Sequence, residues 1–311
     1  MATSGSTDFS VTRDGIITEA LEQLGVIDIG GTPSTSQLTS CSTTLNLWLK
    51  NLQADGVNLF AIQKQYLFLQ KDINEYLLGS TANISTTIEQ ATVTTAASSG
   101  ASILFIDTAA IPANTDIVLI QLSDGTIMRN TSGVGAANTI VLGSTLDDDV
   151  DVGATVYWYP TADAANRPMK ITQAVRRTKD GTDIPVEVLT LDEYAFLSDK
   201  TTDGVPINIY YRPEVGFTRV RVWPEPSPAT DYLVLWVQRT LEDFDSATND
   251  PDYPQEWHWF LAIGLAIAVH KKFGVKTSTI SHLREEYAMA YDRLQGHDRD
   301  EGVYFMPDGD Y

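Results

Sequence analysis

Cysteine is almost absent: Cys41 stands alone, so no disulfide framework and no cysteine-based zinc site can be built. Histidine is scarce too, with only His258, His270, His282 and His297. Glu285 follows His282 by three places, but one such pair is common on helix surfaces, and no metal-ligand set is expected. Basic residues are few, 21 Lys+Arg against 41 Asp+Glu, for a net charge of −20. A chain so acidic repels phosphate, which argues against sequence-reading nucleic-acid binding and against anionic membrane surfaces. Long hydrophobic runs are missing as well. Trp257 to Val269 is nearly apolar, broken only by His258, but about 20 such residues are needed to span a bilayer. The first residues, Met-Ala-Thr-Ser-Gly-Ser-Thr-Asp, hold neither a basic nor an apolar run. The expectation is a soluble chain made in a cytoplasm, without a secretory signal or membrane contact.

Catalytic signatures are equally sparse. There is no Gly-x-Ser-x-Gly, no phosphate-cradling glycine loop and no Cys/His dyad pattern. Glu187, Asp192, Glu193 and Glu225 are available for paired-carboxylate hydrolysis, yet nothing singles any of them out. Asp147-Asp148-Asp149-Val150-Asp151-Val152-Gly153 alternates oxygens as calcium loops do, but its glycine is one place late and Trp158 stands where a calcium loop needs glutamate. A solvated acidic turn is the reading. The expectation is a protein with no enzymatic activity and no cofactor.

What is present is an ordinary globular composition, 43% hydrophobic and 20% charged over 311 residues, enough for two modest domains or one with an insertion. Ile16, Ile17, Ala20, Leu21 and Leu24 share a helical face, and Gly25 follows as a stop. Ser34 with Gln37 forms a capping box before the repeat Leu38, Cys41, Leu45, Trp48, Leu49, Leu52, closed by Gly56. Residues 60–82 open a strand region. Residues 83–160 turn to Thr, Ser, Ala and Gly, with short strands at 88–94, 102–106, 117–122, 126–130, 139–142 and 155–159, and a hairpin signal at Asp124-Gly125. Residues 168–240 resume the sheet: two strands about the turn 179–182, a short helix at 191–197, and strands at 207–211, 218–222 and 232–238. Residues 254–295 give two more helices, the first apolar nearly all round, the second striped by Ile280, Leu283, Tyr287, Tyr291 and Leu294.

The fold class expected is α+β: a helical bundle of about four helices from both chain ends, an antiparallel β-sheet domain, and an inserted small all-β domain, barrel or sandwich. The domains expected are a discontinuous core of 1–82 and 161–295, an insertion at 83–160, and an extension at 296–311. Six tryptophans and 13 tyrosines exceed what chemistry requires here and suit cores and interfaces. Trp257, Trp259 and Phe260 are the expected subunit-interface residues. Tyr304, Phe305 and Met306, an apolar cluster in a Gly- and Asp-rich tail, are the expected partner-binding residues.

The order of segments carries a resemblance. Arg13 to Val26 opens with a helix, and the next helix ends Trp48-Leu-Lys-Asn-Leu-Gln-Ala-Asp-Gly-Val57. Asp183-Ile-Pro-Val-Glu-Val-Leu189, Val205-Pro-Ile-Asn-Ile-Tyr-Tyr211 and Val220-Arg-Val-Trp-Pro-Glu-Pro226 follow. Pro254-Gln-Glu-Trp-His-Trp-Phe260 then opens a helix running to Phe273-Gly-Val275. This series resembles the head-to-tail adaptors of short-tailed bacteriophages, the tail accessory factor or tail tubular protein A-like group, over 12–80 and 168–295. The resemblance implies a virion protein in a ring of about twelve copies beneath the portal. Such a ring extends the DNA channel without sequence-specific contact, retains packaged DNA and connects to a tail nozzle or hub, with tail fibres as further partners. It also implies that the C-terminal extension meets the portal. Two other readings stay open: a phage-associated peptidoglycan hydrolase, and a host-surface binding module in 83–160.

Overall fold

The computed structural model describes Gly5 and residues 9–54, 59–79, 83–161 and 167–297. Five α-helices occur among them: α1 (Arg13–Gln23), α2 (Thr35–Leu52), α3 (Leu191–Phe196), α4 (His258–Val269) and α5 (Ser281–His297). The strands are β1 (Ile62–Phe68), β2 (Glu75–Gly79), β3 (Ile84–Ser85), β4 (Glu89–Thr95), β5 (Ile103–Ile106), β6 (Ile117–Gln121), β7 (Ile127–Thr131) and β8 (Thr139–Val141). They continue as β9 (Thr155–Tyr159), β10 (Lys170–Arg177), β11 (Asp183–Leu189), β12 (Asp203–Gly204), β13 (Asn208–Pro213), β14 (Phe217–Trp223), β15 (Glu225–Pro226) and β16 (Tyr232–Gln238).

The expected α+β class, a bundle of about four helices plus an antiparallel sheet domain, is corrected. The protein is mostly β-sheet, in three sheets of eight, six and two strands with barrel-like curvature, and helices form the smaller part. Long periodic helices announce themselves in a sequence, whereas strands of two to eight residues do so weakly. Weighting by signal therefore overstated the helices. Nor is the large sheet purely antiparallel: β11 runs parallel to β13, pairing Glu187 with Asn208 and Leu189 with Tyr210. A parallel neighbour needs a crossover, and α3 lies in that connection.

The chain divides into two compact units, one of residues 1–61 with 241–311, the other of 62–240. In the first, α1, α2 and α5 all pack on α4. Local chemistry sets the helix starts. Thr12 caps α1 through Gly15 N, and Ser34 and Gln37 form a reciprocal capping box on α2. The core joins Ile16, Ile17 and Leu21 of α1, Leu45 and Leu49 of α2, most of α4, and Leu283 of α5. At about 25 cal/mol per Å² of apolar surface, such burial is what makes an all-round apolar α4 stable in water. Asn46 ties α2 to the returning chain, its Nδ2 donating to the Phe244 carbonyl and its Oδ1 accepting from Phe244 N.

In the second unit the large sheet runs β2-β14-β13-β11-β10-β16-β1-β3. Every one of its strands contributes to a single core, among them Leu67, Leu78, Ile84, Ile171, Val186, Ile209, Val220 and Leu235. The six-stranded sheet runs β7-β6-β9-β4-β5-β8. Its ends meet: Gly133 N donates to the Val141 carbonyl and Gly143 N to the Thr131 carbonyl, each at 2.7 Å. Closure removes the exposed edges that a short, Thr-rich sheet would otherwise present. Its outer face lays Leu119, Tyr157 and Tyr159 against Phe68, Tyr232 and Val234 of the large sheet.

Candidate functional site

In the helical unit a cleft of about 330 Å³ lies between the segment Phe9 to Glu19 and the segment Gln255 to Ala262. Residues 9–12 lead into α1, with its N-cap Thr12 in an extended conformation. A β-carbon on Gly15 would come within 2.8 Å of Val11 Cγ1, so the glycine lets Val11 fold close to the first turn of α1. The walls are apolar: Val11, Ile16 and Ala262 line the cleft together with Phe9 and Trp259. Phe9 is 68% and Trp259 49% exposed, large values for residues of that size.

His258, at the start of α4, also lines the cleft and is only 8% exposed. Its ring centroid lies 6.4 Å from that of Phe9. Burial holds its imidazole below the usual histidine range, against a hydrogen bond at the Tyr253 backbone and the charges of Asp250 and Glu256. Its Nδ1 is buried and has no hydrogen-bond partner. The one charged residue among the lining groups is Glu19.

The expected interface residues separate. Trp257 and Phe260 are buried in the unit's own core, with Trp257 5.4 Å from Phe60 and edge-on to Phe260 at 5.5 Å. Phe260 also stacks on Tyr287 at 4.7 Å. Trp259 alone of the three is open to solvent. Tyr304, Phe305 and Met306 lie outside the described residues.

The carboxylates considered for hydrolysis mostly have local tasks. Glu187 accepts from Asn208 Nδ2 at 3.0 Å and Glu225 from Asn74 Nδ2 at 3.1 Å. Glu193 accepts from Thr190 N at 2.7 Å in a capping box, which lowers its pKa. Asp192 stands in the same first turn of α3. In the acidic run, Asp149 Oδ1 accepts from Ser99 N at 2.8 Å and Val150 is buried, which anchors a turn. His270 donates from Nδ1 to the Ile267 carbonyl at 2.6 Å. No group of three or more His, Cys, Asp or Glu able to hold a metal ion occurs among the described residues. No helix among them is long and apolar enough to cross a membrane.

A second cleft, of about 370 Å³, opens in the β unit and is polar, lined by Gln90, Asp107, Thr108, Thr155, Tyr157 and Lys179. Asp107 is held by Thr92 N at 2.9 Å, and burial pushes the Tyr157 hydroxyl up to about 12. Phe105 is exposed on this unit, while Trp158 and Tyr159 are core residues.

Reading the sequence missed Phe9 and His258 as cleft residues. An isolated aromatic in a polar stretch was the available signal for Phe9; none existed for the unpartnered nitrogen of His258. Neither a scan against protein-family models nor a search of the curated proteins finds a match for this chain.

Proposed function

We propose that the chain is a structural virion protein, a head-to-tail adaptor that rings the base of a phage portal. On this reading about twelve copies extend the DNA channel, retain packaged DNA and connect to the tail nozzle or hub. The chain carries no catalytic activity of its own.

One observation supports the reading above the others. The segments that carry the resemblance fall into one shared core or sheet within each of the two units. The helices at 13–23, 35–52 and 258–269 share one core. The segments 183–189, 205–211 and 220–226 supply β11, β13 and β14, three consecutive strands of the large sheet. The charge of −20 suits a lining that must let DNA slide past without gripping its phosphates. The apolar cleft with exposed Phe9 and Trp259 supplies contact area beyond what the helical unit uses for its own core.

The test is direct. Purified chain mixed with portal rings should co-sediment and appear in electron micrographs as an added ring beneath the portal. Failure to bind portal, with clearing on a peptidoglycan zymogram, would replace this reading by the hydrolase.

A further inference from the structure

The cleft of the helical unit combines three properties. Its walls are apolar and include two large side chains, Phe9 and Trp259, that the unit leaves substantially exposed. His258, nine-tenths buried, lines it and carries an Nδ1 with no hydrogen-bond partner. The third property is charge. Glu19 lines the cleft, Glu256 and Asp250 lie close enough to act on His258, and neither Lys nor Arg is among the lining residues. The nearest cation in the α1 wall, Arg13, is bonded to Asp14 at 2.8 Å.

We infer that this cleft docks a segment of another protein that presents an apolar or aromatic side chain flanked by Lys or Arg. The apolar side chain fills the space between Val11, Ile16 and Ala262. Trp259 and Phe9 close over it, and the flanking cations meet Glu19 and Glu256. The size, about 330 Å³, falls at the small end of ligand clefts and suits an anchoring side chain. Charge argues against the protein's own C-terminal residues as occupant. Residues 298–311 carry Asp298, Asp300, Glu301, Asp308 and Asp310 against Arg299, and like charge would oppose entry. The inference stands apart from the adaptor reading, since it specifies the chemistry of a ligand and not the assembly in which it occurs.

Fluorescence anisotropy on the full chain tests it with four labelled peptides of equal length. One is a Lys/Leu/Trp peptide, one its Glu/Leu/Trp counterpart, one a Lys/Ser peptide, and one residues 298–311. The Lys/Leu/Trp peptide should bind at least about tenfold more tightly than the other three. Trp259→Ser, which leaves net charge unchanged, should weaken it about tenfold with the circular dichroism intact. Glu19→Lys should weaken it and flatten its salt dependence. Equal binding of the Lys/Ser peptide would reduce the effect to bulk charge and overturn the inference. So would indifference to both substitutions. Tightest binding by 298–311 would make a second copy the occupant and overturn it as well.

Discussion

Trp48 of α2 lies over Gly264 of α4 so closely that a β-carbon at 264 would overlap its ring atoms Cη2 and Cζ2. The same ring stands 5.7 Å from Phe260 and 6.5 Å from Tyr287, so one side chain meets both α4 and α5. A glycine inside a helix costs roughly 1 kcal/mol relative to alanine. Here that cost admits the indole. Gly264→Ala should therefore lose about 1–3 kcal/mol to overpacking, more than the helix propensity it regains. Urea unfolding should show a lower midpoint. In a Trp48→Ala background the sign should reverse, because the overlapping ring is gone. A Gly264→Ala protein as stable as the parent would show that the helices slide freely here.

Closure of the small barrel rests on a second glycine. Gly143 bonds to the Thr131 carbonyl, and a β-carbon on it would strike Thr131 Oγ1. Gly143→Val is expected to part β7 from β8 and leave the rest of the unit folded. Amide exchange at Gly133 and Gly143 would accelerate, while exchange in β1, β10 and β16 stays slow. Adding Thr131→Ala should recover part of the protection. Unchanged exchange at both amides would mean the strand ends are held by something else.

Gln65 is 1% exposed, and neither its Oε1 nor its Nε2 has a partner. Strand alternation puts it on the face of Leu67, inside the apolar core of the large sheet. An unpaired buried amide costs about 1–3 kcal/mol. Gln65→Met keeps the length and removes the polar atoms, so it should raise stability by about that amount. Denaturant titration decides the matter: a loss of stability would show that the amide is satisfied in solution.

His258 makes the helical unit acid-sensitive. Its folded pKa lies below the ordinary value of 6.5, chiefly through desolvation. Protonation therefore favours the unfolded chain. The stabilising effect of the neutral ring is whole above the unfolded pKa and is lost as pH falls through the depressed folded value. Asp250, Glu256 and the Tyr253 backbone oppose the shift but do not cancel it. Melting curves from pH 7.5 down should show a falling midpoint below about 6.5 that His258→Asn flattens. Identical pH profiles for the two proteins would remove His258 as the cause.

Several parts of this protein were determined by its sequence alone. The start of α2 is written in Ser34 and Gln37, because a capping box needs only residues three apart. Gly25, with a φ of +65°, ends the first helical region where a left-handed residue must stand. Asp124 and Gly125 lie in the turn between β6 and β7, and the six short strands between residues 89 and 159 fall within a residue or two of their sequence positions. All of these depend on neighbours along the chain.

The tertiary structure alone decided the rest. The parallel pairing of β11 with β13 and the meeting of β7 with β8 join residues that no local pattern links. They are selected by which faces can be buried together. The same holds for the site. Trp257, Trp259 and Phe260 sit in one apolar run with no polar face, so their spacing could not say which would be covered. That was settled by where α1, α2 and α5 lie on α4, which buries Trp257 and Phe260 and leaves Trp259 exposed. The cleft follows from the same packing: residues 9–19 meet residues 255–262, far away along the chain, and only there does the nitrogen of His258 lose its water without gaining a partner.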